Sequence, residues 1–359
     1  MGFSDLFGVG MKKFGYILYG AVFFALISAP LVFMPWAGYQ LMENRPPAPV
    51  PGIINDGSLN LDLPGEVEDY FMDRFAGRVQ MVDAYSRVVG SLFGVSANEK
   101  VVMGQDGWLF FQETVGDYDG SAALSDEEMD SLIQYLLEIK SAAEERGQVF
   151  IIAIVPNKNT IYSEHMPSRY IRTDRATNLD RLMAVEGLDC IDLRAALLTS
   201  DQSVYYKTDT HWNGLGARIA AHEIMLAIEA GTGVRAELDW DDGSYEEILI
   251  TGDLGRMLYP ANPPEEADRI FENAMHRFRT VGRFRSFDDL HITTESDGAF
   301  LRVAMYRDSF ADALIPYFSN AYSNVYYTRQ TPPPFESVAF LEADVIVLQI
   351  VERRLGEML

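Results

Sequence analysis

Residues 205–217 read YYKTDTHWNGLGA, and the rest of the chain is best understood outward from them. Asp209 and His211 stand two positions apart, so in an extended segment both side chains project from one face, where a carboxylate accepts the imidazole Nδ1 proton. Asn213 and Gly214 mark a helix start, and Leu215, Ile219, Ala220, His222, Ile224 and Leu226 continue at helical spacing. An extended segment feeding a helix is the unit of an α/β chain, and its connecting loop is where functional residues are displayed. The pair alone has three readings: a surface hydrogen bond, two ligands of a metal site, or the orienter and base of a hydrolytic triad. The other histidines, His165, His222, His276 and His291, form no second cluster, so no metal is expected.

Upstream, residues 149–155 form an unbroken apolar run, the pattern of a parallel strand covered on both faces. It ends in Pro156-Asn157-Lys158-Asn159. Loops at the carboxyl ends of parallel strands line the ligand crevice of open α/β sheets, so this tetrapeptide reads either as a wall of the site or as an ordinary polar turn. A helix is predicted over 126–146 from its acidic start and apolar stripe, another over 178–185, and a short strand over 189–193. Asp106-Gly107 between 101–103 and 108–111 predicts a hairpin. Residues 66–89 carry one amphipathic helical pattern, whereas 245–291 read as an insertion or lid without a clear element pattern. Downstream, the apolar strand 300–305 runs into Tyr306-Arg307-Asp308-Ser309-Phe310 and a helical pattern through Ala313, Leu314, Tyr317 and Phe318. A serine at such a junction gains oxyanion stabilisation from free N–H groups at a helix start; the same Asp-Ser also reads as a simple N-cap.

Composition narrows the partners. With 53 acidic and 29 basic residues the formal charge is −24, which excludes nucleic acid as a partner. The single cysteine, Cys190, cannot form an intrachain disulfide and reads as a small buried strand residue. Residues 14–42 contain no charge, Lys12 and Lys13 precede them, and Glu43 follows. That pattern predicts one N-terminal transmembrane helix with a cytoplasmic N-terminus (1–13), an anchor and interface (14–42), a proline-rich spacer (43–65) and an extracytoplasmic domain from 66 to 359, periplasmic or extracellular. A cleaved signal peptide is the alternative, although the apolar run exceeds a usual h-region.

Thr208-Asp209-Thr210-His211-Trp212 with Gly216-Ala217, and Arg307-Asp308-Ser309-Phe310, resemble the SGNH-like acyltransferases of exopolysaccharide modification, the AlgX/AlgJ/DHHW group related to alginate O-acetyltransferases. Gly107-Trp108-Leu109-Phe110, Val155-Pro156-Asn157-Lys158 and residues 345–355 add weaker matches, so the resemblance covers residues 66–359. It implies an SGNH-hydrolase-like, doubly wound, mostly parallel sheet with flanking helices. Ser309 would be the nucleophile, His211 the base and Asp209 its orienter. Asn157, Arg307, Lys158 and Trp212 become oxyanion or substrate candidates. The residue before Asp308-Ser309 is Arg307, where typical SGNH enzymes carry glycine. The expected activity is O-acetyl transfer to an exopolysaccharide or cell-surface glycan through an acetyl-serine. An acetyl esterase with the same triad, or a non-catalytic anchored scaffold, are the competing readings. No cofactor is expected, because a multi-pass membrane O-acyltransferase partner would deliver the acetyl donor.

Overall fold

The computed structural model describes residues 3–34, 47–55, 57–236, 238–241, 243–275, 277–334 and 342–359. The chain divides into two compact units, residues 1–92 with 259–262, and residues 93–258 with 263–359.

In the first unit a helix spans Phe3–Phe33 with Pro30 inside it, and its described side chains, Tyr16, Phe24 and Leu26 among them, are exposed. Among the described residues no helix is long and apolar enough to cross a membrane, and residues 35–42 of the anchor expected over 14–42 lie outside the described residues. The helical pattern of 66–89 forms two helices, Leu63–Arg74 and Arg78–Phe93. Phe75 is extended and ends the first helix, and Gly77 adopts φ 80°, a left-handed conformation that turns the chain into the second at no steric cost to glycine.

The second unit holds a seven-stranded sheet. In chain order its strands are β1 (Val149–Val155), β2 (Cys190–Asp192), β3 (Arg279–Val281), β4 (His291–Glu295), β5 (Ala299–Tyr306), β6 (Tyr322–Thr328) and β7 (Val345–Val351), arranged spatially as β2-β1-β7-β5-β6-β4-β3. The five from β2 to β6 pair in parallel, and β4 and β3 complete one edge antiparallel. Every residue of β7 is buried, and Val345 to Val351 pair in register with Val149 to Val155. Both strands lack polar alternation because each face packs on helices. In β1, Ile151, Ala153 and Val155 enter one core with Ala217, Ile224 and Ile228 of helix α2 (Gly214–Thr232). Phe150, Ile152 and Ile154 enter the other with Leu132, Leu136 and Ile139 of helix α1 (Asp126–Glu144). α1 starts where expected because Ser125 and Glu128 form a reciprocal capping box.

The Asp106-Gly107 hairpin is present, with φ 53° and 81° at its two central residues, the signature of a type I′ turn. Residues 245–291 contain an antiparallel pair, Tyr245–Thr251 with Glu265–Phe271, a short helix Asp253–Leu258 between them, and β3. Glu265 to Phe271 reads poorly as a strand because it is acidic. It forms one nonetheless, since its long backbone pairing with Tyr245–Thr251 leaves most side chains partly or fully exposed.

Candidate functional site

The site lies beyond the carboxyl ends of β1, β5 and β7. β5 ends at Tyr306, Arg307 and Asp308 follow, and Ser309 opens a 3-10 turn, Ser309–Ala313. The Asp308 carboxylate accepts the N–H of Phe310 (2.9 Å), the Gln349 Nε2 amide (2.9 Å) and the N–H of Val351 (2.7 Å), and Gln349 Oε1 accepts from the Asp308 N–H (3.2 Å). These bonds tie the serine turn to the end of β7. The helix expected directly after the serine begins only at Ile315, with Pro316 in its first turn, because Asp308 spends its capping carboxylate on a tight turn first. The Ser309 N–H donates to no described group.

The Asp209–His211 segment is not the extended run expected from its spacing. Tyr205 and Trp212 form an antiparallel bridge and the residues between them loop out. The Asp209 Oδ1 accepts the backbone N–H of His211 (2.9 Å) and pairs with its Nδ1 (2.7 Å), so one short side chain holds both backbone and ring of the same histidine. On the other ring nitrogen, His211 Nε2 lies 2.8 Å from Ser309 Oγ across 98 residues of sequence. Asp209, His211 and Ser309 are thus brought together in one hydrogen-bonded string, each half-buried.

The loop is braced from two sides. Lys158, buried at the end of β1, donates Nζ to the carbonyls of Tyr206 (3.1 Å), Lys207 (3.2 Å) and Asp209 (2.6 Å). Asp253, at the start of the short helix, gives its N–H to Asp209 Oδ2 (2.8 Å) and accepts from Thr210 N (2.8 Å) and Thr210 Oγ1 (2.7 Å). Glu266 accepts from the N–H groups of Lys207 (2.8 Å) and Thr208 (2.9 Å). Electrostatics follow from this burial. Burial raises the Asp209 carboxyl, but the His211 bond and charge and the backbone donors outweigh it and hold it at about 2. Burial lowers His211, yet Asp209 more than compensates and the imidazole ends above its ordinary value. Asp253 is raised, first by burial and then by the Asp209 charge. Burial pushes Lys158 down to about 7 against the pull of Asp209, Asp253 and Glu266.

The remaining candidates separate. Asn157 is fully buried, gives Nδ2 to Asp117 Oδ2 (2.8 Å) and its backbone N–H to Glu352 Oε2 (2.9 Å). Arg307 is sealed from solvent and donates to Asp312 and to the Phe287 carbonyl. Trp212 is buried, bonds the Phe310 carbonyl through Nε1 (3.0 Å) and meets the Phe310 ring edge to face at 5.4 Å, so it packs beneath the serine turn. Lys158 likewise acts on the loop's carbonyls. Asp209, His211 and Asp253 lie close enough to hold a metal, but their carboxylate oxygens already accept N–H and O–H groups and the histidine nitrogens face Asp209 and Ser309. His276 lies outside the described residues.

Asp253, Glu352 and Arg353 had no role in the sequence reading, and Asp308 only that of an N-cap. Gly252-Asp253-Leu254-Gly255 reads as a loop over the site and Glu352-Arg353 as part of the weaker match over 345–355; the pairings of Asp253, Asp308 and Glu352 span 41 to 195 residues.

Fold and site together place the chain among serine-centred α/β proteins of the SGNH-like class. Residues 101–269 match the family described as the SGNH hydrolase-like domain of acetyltransferase AlgX; the match includes Asp209 and His211 and stops before Ser309. The chain is similar to "Probable alginate O-acetylase AlgJ" of Pseudomonas syringae pv. tomato, 32% identical over 169 residues, which are 45% of this chain and 42% of that protein. The protein of the same name from Pseudomonas aeruginosa is 29% identical over 134 residues, 36% of this chain and 33% of its own length. The matched segment thus spans less than half of these curated relatives. Among solved structures, Bacillus cereus PatB1 superposes with TM-score 0.55 at 16% identity, covering 71% of this chain and 96% of its own, a likeness of fold alone.

Proposed function

We propose that the chain is an acyltransferase that carries an acetyl group on Ser309 and passes it to a hydroxyl of an exopolysaccharide or cell-surface glycan. The observation that carries this reading is the 2.8 Å approach of Ser309 Oγ to His211 Nε2, with Nδ1 of the same ring 2.7 Å from Asp209. His211 takes the serine proton as Oγ attacks the acyl carbonyl, Asp209 holds the tautomer and the charge that develops, and the same imidazole then deprotonates the acceptor hydroxyl. A non-catalytic scaffold requires Ser309 and His211 out of hydrogen-bond reach, and the short contact weighs against it. Similarity to proteins named alginate O-acetylases supports acetyl as the acyl group. The glycan stays unnamed, because a chain of net charge −24 repels a polyanion unless its basic residues gather in one groove.

The acetyl donor requires no bound cofactor in this scheme; a multi-pass membrane O-acyltransferase supplies it across the bilayer. The charge-free run 14–42 behind Lys12 and Lys13, and the apolar side chains exposed along the N-terminal helix, support attachment to the extracytoplasmic face of a membrane. The test is acetyl release from 4-nitrophenyl acetate by wild type beside Ser309→Ala. Loss of activity in the variant is expected, and undiminished activity would refute the serine mechanism. Adding oligosaccharide acceptors then separates the two chemistries: acetylated sugar marks a transferase, unchanged release of acetate an esterase.

A further inference from the structure

An oxyanion formed on the acyl carbonyl is held best by two or more preorganised donors, and most of those near Ser309 are already committed. The Phe310 N–H goes to Asp308, Asn157 spends its side-chain amide on Asp117, and Arg307 is sealed against Asp312 and Phe287. The Ser309 N–H stands free. One cation against the ring of the next residue, Phe310, makes no hydrogen bond to a described group either. Arg353 follows Glu352 at the end of β7, with its Cζ 5.5 Å from the centroid of the Phe310 ring and 5.5 Å from that of Phe111. The Phe310 ring in turn lies 4.7 Å from the His211 ring. A guanidinium between aromatic rings uses its π surface and leaves its five N–H donors unspent. Among the described residues none accepts a hydrogen bond from Arg353 and no carboxylate pairs with it, although acidic residues outnumber basic ones 53 to 29. It is half-buried, so a ligand can reach it. Its charge is felt at His211, which it makes less basic.

We propose that Arg353 is a catalytic residue, the second oxyanion donor beside the Ser309 N–H, taking the part that neither the buried Asn157 nor the sealed Arg307 can play. The inference rests on the acyl-transfer reading of Ser309. Ser309 Oγ bonds to the carbonyl carbon, its proton passes to His211 Nε2, and the carbonyl π pair moves onto oxygen, where the Arg353 guanidinium and the Ser309 N–H receive it. Collapse returns that pair to the C=O bond and expels the donor's leaving group, which takes the proton from His211 and leaves acyl-Ser309. Arg353 serves again when the acceptor hydroxyl attacks.

The test uses the full chain with 4-nitrophenyl acetate and compares wild type, Ser309→Ala, Arg353→Ala and Arg353→Gln, the last retaining bulk between the two rings. With melting curves matching wild type, both Arg353 variants are expected to lose about 10²-fold in kcat with KM little changed, the size of a missing oxyanion donor. Guanidinium added below denaturing concentration is expected to restore rate to Arg353→Ala and not to wild type, a rescue that a purely packing role would not give. Arg353→Gln turning over at the wild-type rate while Ser309→Ala is dead would overturn the role of Arg353 and leave the serine mechanism standing. Wild type no faster than Ser309→Ala would overturn both.

Discussion

Replacing Lys158 by Met removes a buried ammonium from beneath the loop that carries Asp209 and His211, and two opposing effects follow. Nζ donates to the carbonyls of Tyr206, Lys207 and Asp209, so Met leaves three acceptors without that partner, each costing about 1–3 kcal/mol where water cannot replace it. Against this, burial pushes the lysine from its ordinary 10.5 down to about 7. A depression of that size opposes the charged form by at most about 5 kcal/mol, at about 1.4 kcal/mol per pH unit. It is an upper bound, because three carbonyls match the three donors of an ammonium and favour it. The folded pKa lies below the unfolded one, so between 7 and 10.5 the unfolded chain holds the extra proton and wild-type stability rises with pH; below 7 the penalty is constant. Lys158→Met has no such dependence. Urea unfolding of both proteins from about pH 6 to about pH 9 is the assay: wild-type minus variant stability is expected to stay flat up to about pH 7 and then climb by up to roughly 1.4 kcal/mol per unit. A difference that does not change with pH would refute the reasoning, since Lys158 would then titrate as an exposed lysine does.

Asp209→Asn keeps the shape of the side chain but loses the carboxylate that selects the His211 tautomer, and kcat for acetyl-ester cleavage is expected to fall about 10⁴-fold with little change in melting temperature. A drop under about tenfold is incompatible with Asp209 as orienter. Because His211 acts as a base only when neutral and sits above its ordinary 6.5, kcat/KM is expected to rise with pH along a limb centred above 6.5; a midpoint below it would contradict the Asp209 effect. Glu352 is pushed by burial from 4.5 up to about 7, although Asn157 and Thr160 donate to it. With the folded pKa above the unfolded one, its ionisation destabilises the fold progressively from pH 4.5 to about 7 and fully above. Glu352→Gln is expected to match wild type near about pH 4 and to exceed it by up to about 3 kcal/mol near about pH 8 in thermal melts, and a variant less stable at both ends would sink the argument.

What could be read in the sequence was what is encoded locally. β1 is recognisable because seven consecutive apolar residues have no other soluble use, and α1 because Ser125 and Glu128 sit at capping distance. Asp209 and His211 are two residues apart, and Ser309 announces itself at the end of an apolar strand. The break at Phe75 to Gly77 was hidden because the apolar pattern continues across it and only the extended Phe75 and the left-handed glycine interrupt the backbone. Asp253 was hidden for a different reason: its contact with Asp209 joins residues 44 apart, and that between Glu352 and Asn157 joins residues 195 apart. Pairing across such separations leaves no periodicity to detect. Asn157 and Arg307 were nominated by chain position next to the site, but hydrogen bonding commits both to the scaffold.

β7 is the last of the seven strands along the chain and the middle one between its neighbours β1 and β5. β7 joins two halves of the sheet, β1 with β2 on one side and β5 with β6 on the other, by pairing the edge of each. The first half carries Lys158, which braces the histidine loop; the second carries the serine, whose turn is pinned by Gln349 and Val351 of β7 itself. His211 and Ser309 are therefore held within reach of each other across a sheet that β7 joins in the middle. Loosening β7 is expected to draw the serine turn and the histidine loop apart together.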